Sequence, residues 1–160
     1  MIFRKKGFTL LELIVAMAIL GLLAAGLLGN FMNSQRKARD AQRKSDLKQI
    51  QNALEAYFND HNTYPSDSGG RVAGINWGES FSDGTTNYMQ VLPQDPQKDS
   101  GMYYYYDQTQ LGQGYRLYAC LENREDKDFY PLGYGGTNCG QCLDPDNRCT
   151  YGVTSSNESL

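Results

Sequence analysis

Residues 5–31 read KKGFTLLELIVAMAILGLLAAGLLGNF, and this stretch decides the fold. A mainly apolar run of 22 residues extends from Phe8 to Gly29 and contains a single carboxylate, Glu12. As a helix the run would be about 33 Å long, close to the ~30 Å hydrocarbon core of a bilayer. An acidic side chain at the bilayer centre costs about 2.5–3.5 kcal/mol. Glu12 therefore needs a role that a plain anchor would not give it.

Three cations, Arg4, Lys5 and Lys6, come directly before the apolar run and predict that this end stays in the cytoplasm. A cleaved secretory signal would need the apolar stretch to stop at the small residues 24–26. The run instead continues through Leu27 and Leu28. A simple membrane anchor is the other plain interpretation, and it leaves Glu12 unexplained.

The octapeptide Lys6-Gly7-Phe8-Thr9-Leu10-Leu11-Glu12-Leu13 resembles the class III leader junction of type IV pilins and type II secretion pseudopilins. The resemblance implies a leader at residues 1–7, cut between Gly7 and Phe8 by a prepilin peptidase that methylates the new amine. It implies that residues 8–30 form a transmembrane helix that becomes the filament core. It also implies that Glu12 acts in assembly by facing the Phe8 amine of a neighbouring subunit.

A buried pair of Glu12 with a neighbour's Phe8 amine would contribute little net stability, because both charges must be desolvated. It would instead fix the register, since a subunit docked out of register leaves one charge unpaired. Pairing of Glu12 with Phe8 inside one chain, one helical turn away, remains the alternative.

Residues 31–61 predict an amphipathic continuation of the helix. Its apolar stripe at spacings of three and four consists of Leu47, Ile50, Leu54 and Tyr57. Ser34 to Asp46 is almost wholly polar, which predicts that this part projects from the membrane before the stripe meets the head. Its cations (Arg36, Lys37, Arg39, Arg43 and Lys44) are not interleaved with aromatic residues, which favours a solvated or inter-subunit face over nucleic-acid binding.

Charge is distributed unevenly along the chain. Residues 1–48 hold nine Lys/Arg and three Asp/Glu, a net of +6, whereas residues 49–160 hold six and fifteen, a net of −9. A basic stem and an acidic head can attract each other between copies of the chain.

Residues 62–160 predict a globular head. Pro65 ends the helix, and the Gly-, Ser- and Asp-rich residues 66–90 predict an irregular loop. The aromatic runs GMYYYYDQ (101–108) and GYRLYACLE (114–122) predict a β-hairpin. The preceding LPQDP (92–96) is similar to the region after the helix in major pseudopilins. The expected fold class is α+β, with a long N-terminal helix packed on a small antiparallel sheet and a disulfide-bonded C-terminal loop.

The tail NCGQCLDPDNRCTYG (138–152) predicts neither strand nor helix. Its cysteines and Cys120 make an even set in an exported chain, which indicates two disulfides rather than a zinc site. Of three connectivities we favour Cys142–Cys149, which closes a small ring, with Cys120 joined to Cys139. Inside that ring the hard oxygen ligands Asp144, Asp146 and Asn147 suggest a weak calcium site, although a plain turn is the competing interpretation.

Catalysis finds no support, because His61 is the only histidine and no P-loop or dinucleotide fingerprint occurs. The expected function is that of a type IV pilus subunit. The alternatives are the major pseudopilin of a type II secretion system and an anchored binding module that never polymerises. Expected partners are copies of itself, the prepilin peptidase, an inner-membrane assembly platform and, before assembly, the membrane. The expected location is the cytoplasmic membrane, then a surface pilus or periplasmic pseudopilus.

Overall fold

The computed structural model describes residues 7–142, 147–156 and 160, and the side chains of all of these except 26–30. The element order is α1 (Leu10–His61), β1 (Phe81–Ser82), β2 (Asn87–Met89), β3 (Tyr105–Thr109), β4 (Gly114–Ala119) and β5 (Tyr151–Thr154). The chain divides into two compact units, one up to Arg36 and one from Lys37 onward. This is the α+β fold that the sequence predicts.

Helix α1 is continuous through the predicted boundary between residues 30 and 31. It begins at Leu10 rather than Phe8, because Thr9 is the residue that caps it. It ends at His61, where Asn62 turns into the left-handed region with φ 54° and donates its N–H to the Phe58 carbonyl at 2.7 Å. Across the described residues, no helix has both the length and the apolar character that a bilayer crossing requires.

The main sheet has three antiparallel strands in the order β3-β4-β5. The predicted hairpin is confirmed as β3 and β4, with Tyr105 opposite Tyr118 and Thr109 opposite Gly114. The prediction of no strand in the tail is wrong at its end, where Tyr151–Thr154 pairs with β4. These four residues include a glycine and become a strand only because the edge of β4 is available to pair with them.

Residues 66–90 were predicted to be an irregular loop, and this prediction is wrong in part. Within this segment β1 and β2 form a second, two-stranded antiparallel sheet. Asp83 shapes the connecting turn: its Oδ1 accepts the backbone N–H groups of Thr85 at 2.8 Å and Thr86 at 2.7 Å. Phe81 is buried and joins the core. A short turn with its own side-chain bonds makes this hairpin possible within a polar segment.

The core lies between the apolar stripe of α1 and the main sheet. Leu47, Ile50 and Leu54 are fully buried, as the sequence predicts, and Tyr57 is half-buried. Opposite them pack Tyr104, which directly precedes β3, and the sheet residues Tyr106, Tyr115 and Leu117. The three tyrosine hydroxyls all find acceptors, on Asp46, the Pro65 carbonyl and Glu55 respectively. Buried phenols are tolerated here because each donates a hydrogen bond.

Candidate functional site

The predicted processing and assembly residues lie at the start of α1. Gly7 and Phe8 precede the helix, and the Phe8 side chain is 90% exposed. The Glu12 carboxylate accepts hydrogen bonds from the Thr9 backbone N–H at 2.9 Å and the Thr9 hydroxyl at 2.8 Å. In return the Glu12 N–H donates to the Thr9 hydroxyl at 3.2 Å. This reciprocal pair is a capping box, and its sequence signal is the spacing Thr-x-x-Glu.

The capping box gives Glu12 a role inside one chain that differs from the predicted alternative. The intrachain alternative is a pair with the Phe8 amine, which exists only after cleavage, and it stays a prediction. In the uncut chain the carboxylate caps the first turn. An acidic group also interacts favourably with the positive end of the helix dipole. The Glu12 charge is therefore already hydrogen-bonded before any neighbour arrives.

The first turns of α1 expose their apolar side chains. Leu10 is 75% and Leu22 is 79% exposed. The large apolar residues between them are likewise exposed: Leu11, Leu13, Ile14, Val15, Met17, Ile19 and Leu20. A continuous apolar surface of this kind marks a segment that is covered by lipid or by other protein.

A buried ionic cluster fastens the second half of α1 to two loops of the head. Arg43 is fully buried, and its Nε donates to Asp95 Oδ2 at 2.8 Å. The same guanidinium donates from Nη1 to Asp40 Oδ1 at 2.7 Å and to Glu122 Oε1 at 2.8 Å. Arg39 adds a two-pronged pair with Glu122, at 2.7 and 2.6 Å. The helix therefore meets the head from Arg39 onward, earlier than the apolar stripe that was predicted to make the first contact.

The surroundings of Glu122 and Asp46 shift the pKa values of these two carboxyl groups in opposite directions. Burial alone would raise the pKa of Glu122, but the hydrogen bonds from Arg39 and Arg43 outweigh it and hold that pKa below its usual value. Burial raises the pKa of Asp46 and outweighs the hydrogen bond from Tyr104, which acts in the opposite direction. The two guanidinium groups thus favour the charged form of the Glu122 carboxylate.

Lys44 pairs with the same face of the head. Its ammonium lies 2.6 Å from Asp126 and 2.8 Å from Asp128, and it stands over the Tyr151 ring. Together with the pairing of Arg39 and Arg43, this commits three of the five stem cations to the chain's own acids.

The four cysteines form two disulfides, as predicted, but with a different connectivity. The bonds are Cys120–Cys142 and Cys139–Cys149, so the predicted pairs Cys142–Cys149 and Cys120–Cys139 are wrong. The reason is the path of the backbone. Residue 139 is held beside the chain before β3, with Tyr103 N–H donating to the Cys139 carbonyl at 3.2 Å. The returning segment lies against it, because Cys139 N–H donates to the Asn147 carbonyl at 3.1 Å.

Of the three predicted calcium ligands, the structure describes only Asn147. Asp144 and Asp146 lie outside the described residues, and Asn147 is exposed with φ 57°. Among the residues that are described, no group of three or more His, Cys, Asp or Glu side chains is arranged to hold a metal. Calcium binding stays a prediction.

His61 stacks on Tyr57 with ring centroids 4.1 Å apart. Its Nε2 lies 2.8 Å from Asp83 Oδ2 and 3.1 Å from the Tyr88 hydroxyl. These contacts attach the β1–β2 hairpin to the end of α1, a structural role.

Comparison with known proteins assigns both parts of the chain. Residues 2–28 match the prokaryotic N-terminal methylation motif, and residues 30–128 match the type II secretion system protein G family. No solved structure gives a significant match.

Several curated proteins are similar to the chain. The type II secretion system core protein G of Aeromonas hydrophila is 39% identical over 99 residues, 58% of this chain and 68% of that protein. The protein of the same name from Pseudomonas aeruginosa is 31% identical over 153 residues, 89% of this chain and 93% of that protein. The type IV major pilin of Myxococcus xanthus is 36% identical over 61 residues, 38% of this chain and 28% of that protein.

Proposed function

Because the chain belongs to the type II secretion system protein G family, we propose that it is the major pseudopilin of such a system. The observation that carries this proposal is the extent of the matches. The similarity to protein G relatives reaches across 89% of the chain, whereas the similarity to a pilin covers 38% of it. The expected type IV pilus subunit therefore gives way to the pseudopilin alternative. This family is one of structural subunits, and no enzymatic role is proposed.

Maturation would proceed at the exposed segment before α1. The bond between Gly7 and Phe8 lies outside the helix, which begins at Leu10, so a peptidase could bind it in an extended form. Cleavage would create a cationic amine at Phe8, one residue before Thr9 and four before Glu12 of the capping box. The precursor would be anchored in the cytoplasmic membrane by its apolar segment and would reach an assembly platform there.

Assembly would then cover the apolar surface of α1 with the helices of other subunits. Glu12 supports this step because its carboxylate is already bound to Thr9 and has further acceptor capacity. A neighbour's Phe8 amine would add a charge-assisted bond without first having to break the cap. The pair would select one register of docking.

Processing is tested by mass analysis of the intact mature protein. The expected mature protein begins at Phe8 and is heavier by one methyl group. A mature chain that begins near Gly26 would show cleavage by an ordinary signal peptidase and would overturn this proposal.

The choice between pseudopilus and pilus is tested by deleting the gene. Loss of the pseudopilin should leave normally secreted proteins inside the periplasm, with surface fibres unchanged. Loss of long surface fibres with normal secretion would support the pilus instead. If Glu12→Ala fully restores whichever function the deletion removed, the binding module that does not polymerise would be favoured.

A further inference from the structure

The two disulfides of the head cross in sequence. Cys120 bonds to Cys142 across 22 positions and Cys139 bonds to Cys149 across 10, so each ring contains one end of the other. We propose that this crossed pairing makes the chain a substrate of a thiol–disulfide isomerase, a dithiol catalyst that rearranges disulfides, and not only of an oxidant. The need for an isomerase follows from the cysteine pairs that an unfolded chain forms first.

Local chain closure favours the wrong pairs. Cys139 and Cys142 are three positions apart and Cys142 and Cys149 are seven apart, both closer than either native pair. Closure probability falls roughly as the 3/2 power of loop length. The Cys139–Cys142 contact is therefore favoured about 6-fold over Cys139–Cys149 and about 20-fold over Cys120–Cys142. Two cysteines at this spacing also form a disulfide readily in redox proteins.

Sheet formation completes the same wrong set. The Thr150 N–H donates to the Ala119 carbonyl at 3.1 Å, where β4 meets the start of β5. Cys120 directly follows one of these residues and Cys149 directly precedes the other. A chain that has closed Cys139–Cys142 and paired these strands therefore holds its last two thiols close together. Oxidation then gives two wrong disulfides and leaves no thiol.

A fully oxidised wrong isomer cannot rearrange alone, because exchange requires an attacking thiolate. The catalyst's thiolate attacks Cys139, forms a mixed disulfide with it and releases the Cys142 thiolate. Cys142 attacks Cys120, forms the native Cys120–Cys142 bond and releases the Cys149 thiolate. Cys149 then attacks Cys139, forms the second native bond and returns the catalyst as its thiolate. Two disulfides enter and two leave, so the rearrangement needs no net oxidant or reductant.

Burial makes the native pairing the end point. Cys120, Cys139 and Cys149 are fully buried and Cys142 is 8% exposed. All four pack in one cluster with Tyr118, against Tyr105 and Tyr134. The native bonds are therefore out of reach of the catalyst, whereas the same bonds in an unfolded isomer are open to it.

The test is oxidative refolding of the full-length chain in detergent, after reduction in denaturant. One arm contains oxidant alone, and the other adds a purified dithiol isomerase at the same redox potential. Disulfides are mapped at intervals by mass spectrometry of peptides. With oxidant alone we expect Cys139–Cys142 to accumulate first and to persist. With the isomerase we expect the native fraction to rise at least several-fold.

The matched control is the double variant Cys139→Ser/Cys149→Ser, which can form only Cys120–Cys142. The isomerase should leave the final yield of that single bond unchanged, because this variant has no wrong pair to rearrange. Native pairing of the unmodified chain at equal rate and yield in both arms would overturn the proposal. So would an equal gain in the final yield of the control variant, because it would show an effect other than rearrangement.

Discussion

Glu12 and Thr9 share a capping box, and this allows the charge of Glu12 to be separated from its role in starting the helix. Thr9→Ala removes the hydroxyl that bonds both ways but keeps the carboxylate. Glu12→Ala removes the carboxylate, and with it both its half of the capping box and the charge. Each change should weaken the helix start by about 0.5–2 kcal/mol, whereas only the second removes the proposed partner of the Phe8 amine.

We therefore expect Glu12→Ala to lose filament assembly and Thr9→Ala to retain most of it. The measurement is the amount of filament in cells with equal levels of membrane-inserted precursor. Equal loss in both variants would show that capping alone explains Glu12, and normal filaments from Glu12→Ala would remove its role in assembly.

Arg43 is expected to contribute most to the ionic contacts between α1 and the loops of the head. Arg43→Ala leaves buried carboxylates without their cation, which typically costs about 3–5 kcal/mol. Arg39 is the matched control, because its side chain is 28% exposed and pairs with Glu122 alone. We expect Arg39→Ala to cost about 1 kcal/mol. Urea unfolding of the unit from Lys37 onward measures both, and equal losses would contradict the ranking.

Sequence reasoning missed the Arg43 cluster for a definite reason. A polar run without apolar spacing predicts an exposed helix face, and its partners Asp95 and Glu122 lie 52 and 79 positions away. No local pattern indicates such a contact. Thr-x-x-Glu at residues 9–12 was the opposite case, a local signal that could have been read directly.

The helix and strands whose own sequence carries a regular apolar or aromatic pattern could be predicted from the sequence. The stripe at Leu47, Ile50 and Leu54 indicated the face of α1 that is buried, and the aromatic runs indicated β3 and β4. Strand β5 could not be predicted, because four residues with a glycine depend on their neighbour. The disulfide connectivity was missed because it depends on where the backbone returns, not on spacing.

The C-terminal loop carries the remaining metal prediction. The observed ring Cys139–Cys149 still encloses Asp144, Asp146 and Asn147 in sequence. Three side-chain oxygens would give weak, extracellular-grade affinity, about 10⁻⁴–10⁻³ M. At ten times the dissociation constant, calcium should stabilise the head by about 1.4 kcal/mol. Thermal melting with calcium and with a chelator measures this, and Asp144→Ala/Asp146→Ala is expected to lose the difference. An equal shift in that variant would place the ion elsewhere.

At the scale of the whole head, acid should weaken the fold. The pKa of Glu122 is lowered from 4.5 and that of Asp126 from 3.8. A carboxylate with a lowered folded-state pKa contributes stability above its unfolded value and loses it as the pH falls through the folded value. The pKa of Asp46 is raised, so Asp46 acts in the opposite sense. Hydrogen bonds from the Thr86 and Thr85 backbone also lower the pKa of Asp83. Among the described head residues with a shifted carboxyl pKa, three are lowered and one is raised, so the free energy of unfolding should fall as the pH drops below about 4.5.

Urea midpoints between pH 3 and pH 7 test this expectation. The matched variant Glu122→Gln should be less stable at pH 7 and should show a flatter acid limb. A wild-type midpoint that stays constant or rises towards pH 3 would contradict the prediction and would make Asp46 the dominant group.

The crossed rings also decide what a protease can do to the head. A single backbone cut anywhere between Cys120 and Cys149 falls inside at least one ring, so the two pieces stay joined by sulfur. Three trypsin sites, Arg124, Lys127 and Arg148, lie in that span. Nicked subunits should therefore run as intact chains on a gel without reductant and fall apart only with it. Damage to these loops would leave a subunit covalently whole, and a filament built from such subunits would lose no part of them.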